Sequence, residues 1–137
     1  MGIPSVSERI RAFLEQGPWA VVGASRDRAK YGNKVLRCYL QKGRAPVFPI
    51  HPRETEVEGV AAYRDLASTP ELARAASIIT PPSVTEEVVE QAILLWIRHL
   101  WMQPGAESSA AVERAEQAGI SVIAGGPCLL VVLGYRE

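Results

Sequence analysis

Apolar and polar positions along the chain fall into a repeating pattern in which short apolar runs alternate with longer segments carrying apolar residues at helical spacing. Ser5 and Glu8 fit a capping box that opens a first helix. Ile10, Phe13 and Leu14 supply its apolar face, and Gly17 and Pro18 end it. Ala20 to Val22 reads as a buried central strand that stops abruptly at Gly23. Val35, Leu36, Tyr39 and Leu40 then recur at helical spacing up to Gly43, a suitable left-handed cap residue. Ala45 to Ile50 predicts a second strand, placed at an end or edge because Pro46 and Pro49 each remove a ladder donor. A polar loop from His51 to Glu56 leads to a short third strand predicted over Gly59 to Tyr63. Arg64 to Ala76 is expected to form a short helix broken at Ser68 to Pro70, with a further turn after it.

Ala76 to Thr80 is the next predicted strand, stopping at Pro81. A second capping box, Ser83 with Glu86, is expected to open a long helix with Val84, Val88, Ala92 and Leu95 inward. His99 to Gln103 predicts a strand closed by Pro104 and Gly105, Ser108 or Ser109 starts a helix through Ala118, and Gly119 ends it. Ser121 to Ala124 is the last clear strand, while Leu129 to Leu133 fits helix or strand equally. This alternation predicts an α/β fold, a doubly wound, mostly parallel sheet of five or six strands covered on both faces. With strand order 3-2-1-4-5, the winding reverses between the strand ending at Gly23 and the strand ending at Thr80, which is where such sheets bind ligands. The Gly23 to Ser25 and Thr80 to Ser83 loops are therefore expected to face each other across a cleft.

The chain of 137 residues, 47 % of them apolar, matches one domain spanning residues 1–137. Fifteen basic and fifteen acidic residues leave no excess charge for a nucleic-acid backbone or an anionic membrane surface. The start of the chain lacks a basic segment followed by an apolar one, and Cys38 and Cys128 make no disulfide framework, so a reduced, cytoplasmic protein is expected. The most apolar stretch, Ile93 to Met102, is interrupted by Arg98 and His99 and falls short of the ~20 residues that span a bilayer.

Gly23 allows a sharp turn that aims backbone N–H groups at a phosphate, although Ser25 stands where the full dinucleotide fingerprint has a second glycine. At the end of the second strand the first charge is Arg53, a cation, which suits a phosphorylated ribose and leaves both NADP and coenzyme A open. Cys38 reads as a packed thiol inside a helix. Cys128 follows Gly125, Gly126 and Pro127 without a base to activate it. His51 lies on the ligand side of the sheet with no partner in view, His99 lies at the opposite end, and no metal-ligand spacing occurs.

The ordered set Val21 to Ser25 (VVGAS), Phe48 to Pro52 (FPIHP), Ile78 to Pro82 (IITPP), Trp101 to Gly105 (WMQPG) and Gly125 to Cys128 (GGPC) resembles the CoA-binding protein family. That family is a stand-alone CoA-binding domain similar to the N-terminal domain of the succinyl-CoA synthetase alpha subunit. The resemblance implies a Rossmann-like fold with CoA phosphates on Gly23, Ala24 and Ser25, beside Arg26, and on the helix start at Tyr31 and Gly32. It implies adenosine contacts at Pro52 and Arg53, and further contacts at Thr80, Pro81 and Pro82 and at Met102, Gln103 and Pro104. Ile79 to Pro82 looks more like the synthetase version than the Asp-Val-Phe-Arg-like segment of stand-alone members. The synthetase's phosphohistidine domain and partner subunit have no counterpart here, so complete ligase chemistry is not expected. The expected function is a CoA or acyl-CoA binding module with a carrier, sensing or regulatory role and no catalytic residues of its own. The alternatives are an NADP-dependent oxidoreductase, or a nucleotide-free interaction domain that uses exposed tryptophans.

Overall fold

The computed structural model of the chain describes residues 3–15 and 17–137. Helix α1 (Val6–Glu15) is opened by the expected box: Glu8 N–H donates to Ser5 Oγ at 3.1 Å, and that hydroxyl donates to Glu8 Oε1 at 3.1 Å. Strand β1 (Trp19–Val22) is buried along its whole length, as a strand covered on both faces must be. Around it lie β2 (Val47–Ile50), β5 (Ala75–Ile78), β6 (His99–Met102) and β7 (Ser121–Ile123). The five strands run parallel in the order β2-β1-β5-β6-β7, the reversal falling at β1. Val22 stands opposite both Ile50 and Ile78, and Ile78 opposite Met102, so four strands end level along one edge.

Side chains alternate across this sheet and build two cores. Ala20, Val22, Leu100 and Met102 face Val88, Val89 and Ala92 of α3 (Pro82–Leu94) and Ala111 and Ala115 of α4 (Ser109–Gln117). Trp19, Val21 and Trp101 face Phe13 of α1, Val35, Leu36 and Tyr39 of α2 (Tyr31–Gln41) and Leu129 of α5 (Leu129–Leu133). Trp19 and Trp101 are both buried, their indole N–H groups donating to Phe13 O and Pro127 O at 3.0 Å, so Trp96 is the one exposed tryptophan of the three. No helix among the described residues is long and apolar enough to cross a membrane.

Several local expectations need correction. The expected third strand does not join the main sheet: β4 (Val60–Ala61) pairs antiparallel with β3 (Glu56–Val57) in a small hairpin. Glu58 and Gly59 form its turn with φ of 51° and 77°, the paired left-handed geometry that suits a two-residue hairpin. One parallel bridge, Ile50 to Tyr63, links the segment to β2. Tyr63 N–H donates to Pro49 O at 2.9 Å, which shows that the backbone polar side of Pro49 faces the outer edge, where its missing donor is harmless. The broken helix expected over Arg64 to Ala76 is one turn of 3-10 helix, Leu66–Ser68, followed by a bent segment that leads into β5.

Ser83 does not cap α3, because Pro82 already occupies the first helical position and Ser83 lies inside the helix. Val84 points outward, while Thr85 joins Val88 and Ala92 on the buried face. Leu40, expected on the apolar face of α2, is exposed. Leu129 to Leu133 resolves as the short helix α5, which Gly134 ends at φ 69°.

The α2-side core holds one buried polar pair, Tyr39 Oη and Ser77 Oγ, 2.7 Å apart. Burial pushes the Tyr39 hydroxyl far up, so it stays protonated. Tyr39→Phe strands the Ser77 hydroxyl and is expected to cost about 1–3 kcal/mol of stability in urea unfolding. Adding Ser77→Ala removes the orphan and is expected to recover part of that loss; a strictly additive double variant would show that the pair is uncoupled.

Candidate functional site

The level carboxyl edge of the sheet places three loops around the end of β1. At Gly23 (φ 95°) the backbone turns so tightly that a Cβ would stand 2.8 Å from Ile79 O and 3.3 Å from Thr80 Cγ2. The Gly23 turn and the residues after β5 are thus in contact, not on opposite sides of a cleft as expected. Pro81 to Ser83 turns away into α3, and the opening lies instead between the start of α2 and the end of β2.

From Gly23 the chain runs back over the edge and enters α2 in three steps. Asp27 N–H donates to Ser25 Oγ at 3.0 Å, Ala29 N–H to Asp27 Oδ1 at 3.0 Å, and Lys30 N–H to Asp27 O at 3.0 Å. Lys30 is the cap residue of α2 and no side chain caps its first turn. Uncapped first-turn N–H groups at the positive end of a helix are the donors an anion uses. Gly32 brings this helix end against the turn: a Cβ there would run into Gly23 O and stand 3.3 Å from Ala24 Cα.

The buried Asn33 locks the arrangement. Its Nδ2 donates to Ser25 O at 2.8 Å and to Glu58 Oε2 at 3.0 Å, and its Oδ1 accepts from Arg37 Nε at 2.6 Å. Arg28 pairs with Glu58 at 2.6 Å, so the β3–β4 hairpin is tied to the loop before α2. The Asn33 hydrogen bond, then the Arg28 and Arg37 charges, hold the Glu58 carboxyl below the usual carboxylate range.

Two hollows follow the edge. The first, of about 470 Å³, is lined by Gly23, Ala24 and Ser25 of the turn and by Lys30, Tyr31 and Gly32 at the start of α2. His51, Pro52 and Ile79 complete it. The second, of about 340 Å³, is bounded by Tyr31, Ile79, Gln103, Pro104, Cys128 and Val131. Tyr31 and Ile79 line both, so the two hollows lie side by side as a trough along the sheet edge, with these two residues at their junction. A neighbouring hollow of about 530 Å³ beside Arg26 is walled by Glu54, Glu56 and Glu58, a lining that repels an anionic ligand.

Of the residues expected at the site, Gly23, Ala24, Ser25, Tyr31, Gly32 and Pro52 line the first hollow, and Gln103 and Pro104 the second. Arg26 points to the hairpin and pairs with Glu54 at 3.4 Å. Arg53 is exposed beyond the trough. Thr80 exchanges a 2.8 Å hydrogen bond with Thr85, Pro81 and Pro82 are exposed at the start of α3, and Met102 is fully buried in the α3-side core. None of these four lines either hollow. Lys30, Ile79 and Val131 were not anticipated. His51, which had no partner in the sequence, accepts Arg53 N–H at 3.0 Å and Glu54 N–H at 2.9 Å on Nδ1, leaving Nε2 to carry the proton of the neutral ring.

A family model described as CoA binding domain matches residues 18–134. The chain is 33 % identical over 70 residues to the alpha subunit of an ADP-forming acetate–CoA ligase II from Pyrococcus furiosus, a match covering 51 % of this chain and 15 % of that protein. The chain therefore spans only a small part of that curated relative. A conserved hypothetical protein from Pyrococcus furiosus superimposes with a TM-score of 0.77 at 37 % identity, covering 83 % of this chain and 97 % of the other. A dinucleotide forming acetyl-coenzyme A synthetase from Ca. Korarchaeum cryptofilum, solved with phosphate and ADP, gives a TM-score of 0.73 at 28 % identity over 83 % of this chain and 26 % of its own.

The two thiols differ sharply in setting. Burial pushes the Cys38 thiol up to about 11, whereas Cys128 is half-buried on the wall of the second hollow. In the native protein a colorimetric thiol reagent at mildly alkaline pH is expected to titrate Cys128 and spare Cys38, with both reacting in denaturant. Rapid native reaction of Cys38, identified with the Cys128→Ser variant, would contradict the packing described for α2.

Proposed function

The chain belongs to the CoA binding domain family, and on that premise we propose that it binds coenzyme A or an acyl-CoA along the trough, as a carrier, sensing or regulatory module. The observation that carries this reading is the uncapped start of α2 pressed against the Gly23 turn at Gly32, a cradle that any Cβ would fill. In it the ligand's pyrophosphate accepts hydrogen bonds from first-turn N–H groups of α2, with the Lys30 charge beside it. The adenosine end lies toward His51 and Pro52, with Arg53 outside it as a cation for the 3′-phosphate, and the pantetheine arm passes between Tyr31 and Ile79 into the second hollow. CoA supplies a thiol as the acyl-carrying group; the residues of this chain hold and orient it. The relation to ligase alpha subunits supports a role in acyl transfer systems.

Calorimetric titration with CoA, dephospho-CoA, NADP and NAD tests the reading. CoA is expected to bind tightest, with dephospho-CoA about tenfold weaker, and Arg53→Ala should largely erase that difference. Lys30→Glu reverses charge at the cradle, yet an acid at a helix start favours folding, so binding should weaken about tenfold or more while thermal stability holds. Tighter binding of NADP than CoA, or wild-type CoA affinity in folded Lys30→Glu protein, would overturn the reading.

A further inference from the structure

Helix α3 ends on a residue that backbone sterics disfavour. Trp96 N–H donates to Ile93 O at 3.3 Å and Ile97 N–H to Ala92 O at 3.0 Å, the two bonds of a Schellman ending, which puts Trp96 in the left-handed region at φ 60°. Glycine is the residue that takes this position without strain. The ends of α2, α4 and α5 follow that rule with Gly43, Gly119 and Gly134 at φ 65°, 82° and 69°. At α3 a tryptophan stands there instead and buries little in return: its ring is 73 % exposed, beside Arg98 Cζ at 5.7 Å from the centroid. Leu94, in the last turn of the helix, is 80 % exposed. A single exposed apolar side chain is ordinary, but two large ones in one strained turn mark a contact surface.

The surroundings of this turn say what it contacts. Next to it a groove of about 260 Å³ is lined by Leu94, Leu95 and Gln91 of α3 and by Asp65 and Ala67 at the 3-10 turn. Arg98 Nη2 donates to Gly119 O at 2.8 Å, ahead of β7, whereas the 3-10 turn lies ahead of β5. Because β5 and β7 flank β6, the ring with its cation and the groove with its acid lie on opposite sides of Leu94. A two-fold axis at Leu94 therefore sets Trp96 of each copy over the apolar groove of the other and brings Arg98 toward Asp65, whose carboxylate is held only loosely by Arg64 at 3.7 Å. Such self-complementarity is what an isologous contact requires. Fifteen basic and fifteen acidic residues leave no net charge to keep two copies apart.

We propose that the α3–β6 turn is a self-association surface whose occupant is a second copy of this chain, with Trp96 as the anchor of a two-fold dimer. The turn stands at the amino edge of the sheet, ahead of His99, and the trough runs along the carboxyl edge. Dimerisation thus leaves the trough open, and the inference does not depend on what the trough binds.

Sedimentation velocity of the full chain from about 2 to 500 µM is expected to show monomer giving way to dimer with a Kd of about 10–100 µM, as suits a contact centred on few side chains. Emission of Trp96, exposed while Trp19 and Trp101 are buried, should shift to the blue over the same range. Trp96→Gly should weaken association about tenfold or more and, in dilute monomeric protein, raise the thermal midpoint by about 2–4 °C as the left-handed strain is relieved. Leu94→Lys places a favourable cation in the last turn of the helix and should weaken association about tenfold or more while thermal stability holds. A wild type that stays monomeric throughout the range would overturn the proposal, as would a dimer that persists in both folded variants. A lower midpoint for dilute Trp96→Gly would assign the ring to the monomer's own fold and overturn it too. So would a monomer whose Trp96 emission shifts only on phosphatidylcholine–phosphatidylglycerol vesicles, since the occupant is then a lipid surface.

Discussion

Helix α2 meets the end of β1 at a distance only glycine permits: a Cβ on Gly32 would overlap the carbonyl of Gly23, itself held at φ 95° against Ile79 O. Two backbones in direct contact set the position of the helix start over the sheet edge, and neighbouring features take their places from that contact. Asn33, the next residue, reaches Ser25 O and Glu58 at once, so the loop and the β3–β4 hairpin are positioned by one side chain. A single substitution at Gly32 would therefore disturb the cradle, the loop and the hairpin together.

The same edge organises the rest of the trough. Level strand ends put Gly23, Ile79 and Gln103 in a row across β1, β5 and β6. Polar backbone and the Lys30 charge lie at one end of that row, and a mainly apolar hollow lies at the other. This gradient fits a ligand with an anionic head and a long, nearly neutral arm. It arises from winding direction, since α2 and α5 cover one face of the sheet and approach the same edge.

Much of the fold was legible because its signals are local. Continuous apolar runs mark β1 and β6 as buried strands, Pro49 marks β2 as an edge, and Ser5 with Glu8 and Ser108 as cap act within one turn. The failures have equally definite causes. Glu58 and Gly59 make a hairpin turn without the usual Asn or Asp, Pro82 takes the position from which Ser83 was expected to cap, and the five apolar residues of α5 carry no period until Gln103 pins the first of them. At the site, the glycine turn was visible in the sequence, but Val131 enters through long-range packing. Met102 was placed among the contacts although strand alternation puts it on the same face as Leu100, inside the α3-side core.

The central claim, that the helix start at Gly32 and the second hollow beside Gln103 belong to one ligand site, is tested most directly by heteronuclear NMR of the labelled chain during titration with CoA. The account predicts the largest shifts at the backbone amides of Ser25, Tyr31, Gly32 and Gln103, saturating with one common dissociation constant. Shifts concentrated at Glu54, Glu56 and Gly59 or on the outer faces of α3 and α4, with those four groups unmoved, would contradict it.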